Sequence, residues 1–184
     1  MARQHGEAEP GRPAHGTIPA GRPPDPADAG IGLLTLVERT LGTGTAVYVP
    51  GDGWIRLTLP LDDGGPAPVT VDVIADTRRT ARGIAYLLPG AGLNFGSGFF
   101  TPSHLNLAHR LRREGLLVVG VTPREDAATL QDIGPDRGLA AHLRDLAGVV
   151  EALDGALGLP YQYVGHSAGA LLALDAAAHD DHPA

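Results

Sequence analysis

The chain has no cysteine and no lysine. Without cysteine there is no disulfide framework and no thiolate nucleophile, and the redox compartment leaves no mark. Without lysine there is no Schiff base, no phosphate-loop lysine and no Ser–Lys dyad, because all 14 basic residues are Arg. Aromatic residues make up only 4% of a chain that is 43% hydrophobic, so any core must be mostly aliphatic. The formal net charge of −7 repels phosphate backbones and argues against a general nucleic-acid role. No apolar run reaches the roughly 20 residues of a membrane span. The N-terminus lacks an apolar secretory core, lacks serine and carries acidic residues, so a cytoplasmic location is expected.

What is present is one domain's worth of sequence, 184 residues, with 26 Gly and 16 Pro unevenly spread. Residues 1–30 hold Pro10, Pro13, Pro19, Pro23, Pro24 and Pro26, and Ile18 is their one large apolar side chain after Met1. Such a stretch buries too little surface to offset its ordering entropy and reads as a disordered tail. Residues 31–184 carry the periodic patterns.

The first part of that region reads as β-structure. Leu33–Leu41 looks like a strand. Thr45–Val49 and Trp54–Leu59 flank Pro50-Gly51-Asp52-Gly53 as a hairpin, and Val69–Ala75 alternates as a further strand after a loop over 62–68. From Ile84 the pattern switches to strands separated by amphipathic helices. Ile84–Leu88 is an apolar strand. Thr101-Pro102 is a candidate helix start, with Leu105, Ala108 and Leu111 on one face and Gly115 as its stop. Leu116–Val121 is a buried strand, Gly134-Pro135-Asp136 opens a long helix that Gly158 closes, Tyr161–Val164 is a strand, and a helix follows from Ala168. This alternation predicts an α/β fold with a mostly parallel sheet and helices on both faces.

The chemistry concentrates in Tyr163-Val164-Gly165-His166-Ser167-Ala168-Gly169-Ala170, a G-x-S-x-G between a strand and a helix. A chain turning this sharply pushes one hydroxyl out at the tip, and the residues two before and two after must be tiny to clear each other. Gly165 and Gly169 supply that clearance. A second glycine-rich loop, Pro89-Gly90-Ala91-Gly92, leaves the strand Ile84–Leu88. Continued to Gly96 it spells G-x-G-x-x-x-G, one residue too long for a dinucleotide fingerprint and too far from the next expected helix. Neither a cofactor nor a metal is called for.

With strand, turn, serine and helix in this order, residues from about Leu33 onward resemble the α/β-hydrolase superfamily. The resemblance implies Ser167 as nucleophile, the Ala91 and Ala168 backbone N–H groups as oxyanion donors, and Gly90, Gly92, Gly165 and Gly169 as the small residues that shape the two loops. Pro89 departs from the family, where His is common. The resemblance also implies a triad acid and then a histidine after later strands, and no such pair is found in this chain. Asp175 lies about 12 Å along the elbow's helix at 1.5 Å per residue. His179 and His182 lie further, His166 is aimed elsewhere by the turn, and His104, His109 and His142 read as helix surface or core boundary. The fold therefore reads as an α/β-hydrolase domain truncated after the elbow helix.

This leaves a serine hydrolase or acyl transferase acting on a small ester-like substrate, incomplete in this chain. The alternatives are a non-catalytic truncated fragment, or an interaction module using its sheet edge and Pro-rich tail. Without later strands, Tyr161–Val164 becomes an apolar edge open to self-association or to pairing with another chain. Phe95, Phe99 and Phe100 are equally placed to line a pocket or to fill the core.

Overall fold

The computed structural model describes residues 26–42, 45–49, 53–61, 69–102, 105–127 and 137–180. The loop at 62–68, the Gly134-Pro135-Asp136 helix start, most of the expected tail, His104 and His182 lie outside them. Six strands, β1 (Thr45–Val49), β2 (Trp54–Leu61), β3 (Val69–Asp76), β4 (Gly83–Leu88), β5 (Leu116–Thr122) and β6 (Tyr161–Gly165), form one sheet in the order β1-β2-β3-β5-β4-β6. β1, β2 and β3 pair antiparallel, as does β3 with β5, while β4 runs parallel to both β5 and β6. Four of the six strands thus point one way, with β1 and β3 running against them.

Alternation along the strands builds two cores. Ile84, Tyr86 and Leu88 of β4 face the same side as Leu117, Val119 and Val121 of β5, where they meet α1 (Pro26–Leu41), α5 (Leu139–Leu157) and Leu172 of α6 (Ala168–His179). Leu87 and Val118 point to the opposite side and meet Phe95 and Phe99 of α2 (Phe95–Phe99) and Ala108 of α3 (Leu107–Arg113). Helices therefore cover both faces. A short helix, α4 (Arg124–Ala127), follows β5.

Three expectations change. Leu33–Leu41 is the second half of helix α1, not a strand. Pro26 opens the helix, Gly42 closes it at φ 100° with its N–H on Glu38 O, and Val37 and Leu41, one turn apart, are both buried. The helix starts inside the stretch read as tail. The helix expected at Thr101-Pro102 is instead two shorter ones, each capped by an Asn. Asn94 Oδ1 accepts the Ser97 N–H at 2.9 Å ahead of α2, and Asn106 Oδ1 accepts the His109 N–H at 2.8 Å ahead of α3. Asn106 also donates to Pro102 O at 2.8 Å. Phe95 and Phe99 are core residues, fully or almost fully buried, rather than pocket lining. Phe100 stacks against Phe95 and carries the Arg56 guanidinium 4.8 Å above its ring.

β6 ends the sheet, and no described strand pairs with its outer edge. In α5, Gly148 and Gly155 are exposed, and a methyl at either would meet nothing within 4 Å. Replacing either with Ala raises the stability of the helix by about 0.5–1 kcal/mol, read as an upward shift in a urea midpoint.

Candidate active site

The parallel strands β4, β5 and β6 deliver their C-terminal ends to one rim of the sheet, the position where open α/β sheets bind ligands. From β6 the chain turns through His166 and Ser167 straight into α6. Ser167 sits at φ 55°, ψ −119°, the one non-glycine residue with positive φ among the described residues. That conformation costs a side-chain-bearing residue about 1–3 kcal/mol, and it persists only because its surroundings enforce it.

Those surroundings are the two glycines. A Cβ on Gly165 would run into the Gly169 carbonyl and, at 2.5 Å, Ala170 Cα. A Cβ on Gly169 would run into the Leu88 carbonyl at the end of β4. The His166 N–H donates to that same Leu88 oxygen at 3.1 Å, locking elbow and strand together. The turn continues as Gly169 N–H to His166 O and Ala170 N–H to Ser167 O, at 3.0 and 2.9 Å.

The loop after β4 lies directly against this turn. A Cβ on Gly90 would sit 3.1 Å from Ser167 Cβ and 3.2 Å from His166 Nδ1. Gly90 to Leu93 forms a β-turn closed by the Leu93 N–H on Gly90 O at 3.1 Å, with Gly92 at φ 74° in the position that favours glycine. No backbone acceptor among the described residues takes the Ala91 N–H. The same holds for Ala168, whose N–H is one of the unsatisfied donors that open α6. Ala91, Gly92 and Ala168 line one small cavity. Ser167 is exposed beside it, and no described side chain bonds its hydroxyl.

The opposite wall of that cavity comes from α4 and the first turn of α5: Glu125, Asp126 and His142. Arg124 is 1% exposed and clasps Asp145 of α5 through two bonds of 2.9 and 2.7 Å. One turn earlier on α5, His142 Nε2 lies 2.8 Å from Glu125 Oε2. Burial pushes the Glu125 carboxyl up, but the adjoining His142 ring and the Gly138 N–H outweigh it and leave it below the usual carboxylate range. Burial, and then the adjacent Glu125 charge, raise the Asp126 carboxyl above its usual range. No group of three His, Asp or Glu among the described residues is arranged to hold a metal ion.

Two other described histidines lie elsewhere. His109 is buried beneath Trp54 at 4.6 Å and Phe100 at 5.0 Å. His179 bonds Asp175 O at 2.8 Å near the far end of α6, with its ring exposed. A cavity of about 590 Å³ lies between α5, β6 and α6, and Ser167 is not among its lining residues. Its Tyr163 hydroxyl is pushed far up by burial and by Asp180. Sequence reasoning missed the Glu125–His142 pair because its members lie seventeen residues apart on separate elements, with no spacing to announce it.

Solved structures share this fold. A cold-adapted esterase from an Arctic intertidal metagenomic library superposes with a TM-score of 0.57 at 15% identity, over 75% of this chain and 60% of that one. The chain has an α/β-hydrolase-type fold. A lipase candidate from Sulfolobus solfataricus shares it (TM-score 0.52, 14% identity, 74% of this chain and 45% of that one). So does a dienelactone hydrolase candidate from Klebsiella pneumoniae (0.52, 14%, 70% and 56%). The chain therefore spans about half of these α/β-hydrolase-type proteins. No family model and no curated protein matches the sequence. Among the described residues no helix is long and apolar enough to cross a membrane.

Proposed function

We propose that this chain is the nucleophile-bearing part of a serine hydrolase that acts on small ester-like substrates through Ser167. The observation that carries the reading is Ser167 at φ 55° on a strand-to-helix turn, with Gly90 packed against its Cβ. In this reading Ser167 Oγ attacks the substrate carbonyl, and the oxygen that becomes negative is held by the Ala91 and Ala168 N–H groups. Each such donor stabilises the transition state by about 3 kcal/mol. The α6 N-terminus adds a favourable dipole. A base must take the Ser167 proton and pass it to the departing alcohol. It comes from outside the described residues, since none of the described histidines bonds Ser167. Hydrolysis and acyl transfer share this first step, and in acyl transfer an alcohol or thiol replaces water in the second. Short p-nitrophenyl esters test the reading: turnover that disappears with Ser167 supports it, and turnover that survives Ser167→Ala overturns it.

A second reading has the elbow retained as architecture without catalysis, and the unpartnered Ser167 hydroxyl favours it. The two separate on whether the protein reacts with a fluorophosphonate at all.

The same account makes β6 a docking edge. Leu171 and Leu174 of α6 are 61% and 70% exposed, and β6 offers unpaired backbone groups beside them. The 184-residue chain by itself is expected to self-associate in sedimentation velocity. A soluble monomer with a cooperative melt would contradict that expectation.

A further inference from the structure

The loop that carries Ala91 runs from Leu88, the last residue of β4, to Phe95, the first residue of α2. Its near end is tied to the elbow, because Leu88 O accepts the His166 N–H at 3.1 Å and Gly90 packs against Ser167 Cβ. Inside the loop, the Leu93 N–H to Gly90 O bond closes a turn around Ala91 and Gly92. Two glycines flank Ala91, so the backbone there has wide conformational freedom unless both ends are held.

The far end is held by β5. The Phe95 N–H opens α2 and has no acceptor within that helix. It donates instead to Thr122 Oγ1 at 3.2 Å, in a buried bond. The Asn94 side chain takes the Ser97 N–H, so Thr122 supplies the acceptor for Phe95. Thr122 ends β5, is 2% exposed and is paired with Thr70 of β3, so the sheet sets its place. Two residues earlier on the same face of β5, Gly120 leaves room for the Phe95 ring, and a Cβ there would overlap it. Both the backbone and the ring of Phe95 are therefore seated on β5.

We propose that Thr122 is a positioning residue, whose hydroxyl oxygen holds the Phe95 N–H and, through the Gly90–Leu93 turn, keeps the Ala91 N–H beside Ser167. The proposal rests on the reading of Ala91 as an oxyanion donor, which is effective only when its N–H is fixed in advance of the reaction. Being buried, Thr122 acts through the loop rather than on the substrate.

The test uses the 184-residue chain with T122V and T122S, and follows amide exchange at single residues. Val keeps a β-branched shape that suits a strand and removes the acceptor, whereas Ser keeps the hydroxyl. In T122V the Phe95 amide, left without its acceptor, is expected to exchange about tenfold faster or more. The deciding amide is Leu93, which bonds Gly90 rather than Thr122 and is expected to accelerate about tenfold as the turn loosens. In T122S both amides stay within about twofold of wild type, and the Val119 amide of β5 is unchanged in both variants. An unchanged Leu93 amide in T122V, equal acceleration in both variants, or acceleration at Val119 to match Leu93 overturns the proposal. Fluorophosphonate labelling keeps the two claims apart. Labelling of Ser167 is expected to slow about tenfold in T122V and to hold in T122S. If Ser167 reacts in wild type and equally fast in T122V, the positioning role fails and the Ser167 reading stands. If wild type does not react, the Ser167 reading fails, and Leu93 exchange alone decides whether Thr122 holds the loop.

Discussion

Ser167→Ala abolishes covalent labelling by a fluorophosphonate, lowering the rate by roughly four orders of magnitude or more, as loss of a serine nucleophile does elsewhere. The size of the effect follows from the geometry. Ser167 is the residue that the turn pushes outward, and the other two serines, Ser97 and Ser103, are not on β6 or α6. Ser97 is engaged in the α2 cap, where its hydroxyl and the Asn94 backbone N–H meet at 3.2 Å. The loss is chemical rather than structural, because Ala fits wherever Ser does. A companion variant makes the distinction sharper. Ser167→Gly also loses all labelling but raises stability by about 1 kcal/mol, since glycine adopts φ 55° without the strain that a Cβ imposes. A melting shift of about 2–4 °C in a chain of this size would report it.

Gly169→Ala has the opposite profile, destroying the fold before it touches the chemistry. The added methyl would overlap the Leu88 carbonyl, which is backbone and cannot rotate away. Nor can β4 retreat, because it lies between β5 and β6 and is paired with both. The Leu88 oxygen is further held by the His166 N–H. Overpacking against a fixed backbone costs about 3 kcal/mol or more, a large part of a domain's stability. The expected result is loss of the cooperative urea transition or an insoluble product. Gly165→Ala behaves alike, with the Gly169 carbonyl as the obstacle. A Gly169→Ala protein with a wild-type midpoint would show that the elbow is looser than described.

Much of this was legible before the structure because it rests on local rules. Gly165 and Gly169 around Ser167 announce a turn that only small residues permit, and the alternating apolar strands β3 to β6 announce the sheet. The hairpin β1–β2 follows from Gly51 and Gly53 between two β-rich runs. The misread elements are those where tertiary context decided. Leu33–Leu41 has an apolar run that suits either period. Its true start, Pro26, was hidden in a Pro- and Gly-rich stretch, and its helical state shows only in Val37 and Leu41 facing the same core. Thr101-Pro102 has the residues of a helix start, but Asn94 and Asn106 win the backbone groups on either side.

The site divides in the same way. Ser167, Ala91 and Ala168 could be named as candidates because the resemblance places them on backbone turns whose glycines the sequence announces. The Arg124–Asp145 and Glu125–His142 pairs could not, since ion pairs between a short helix and a long one leave no periodic trace. They also show why His142, legible only as helix boundary, belongs to the wall of the cavity beside Ser167.

The measurement that tests the central claim most directly is peptide mapping of the protein isolated from its natural source after fluorophosphonate treatment. A single adduct on Ser167, within the segment Gly165–Gly169, is the expected result. An unmodified Ser167, or an adduct on a different serine, would contradict it.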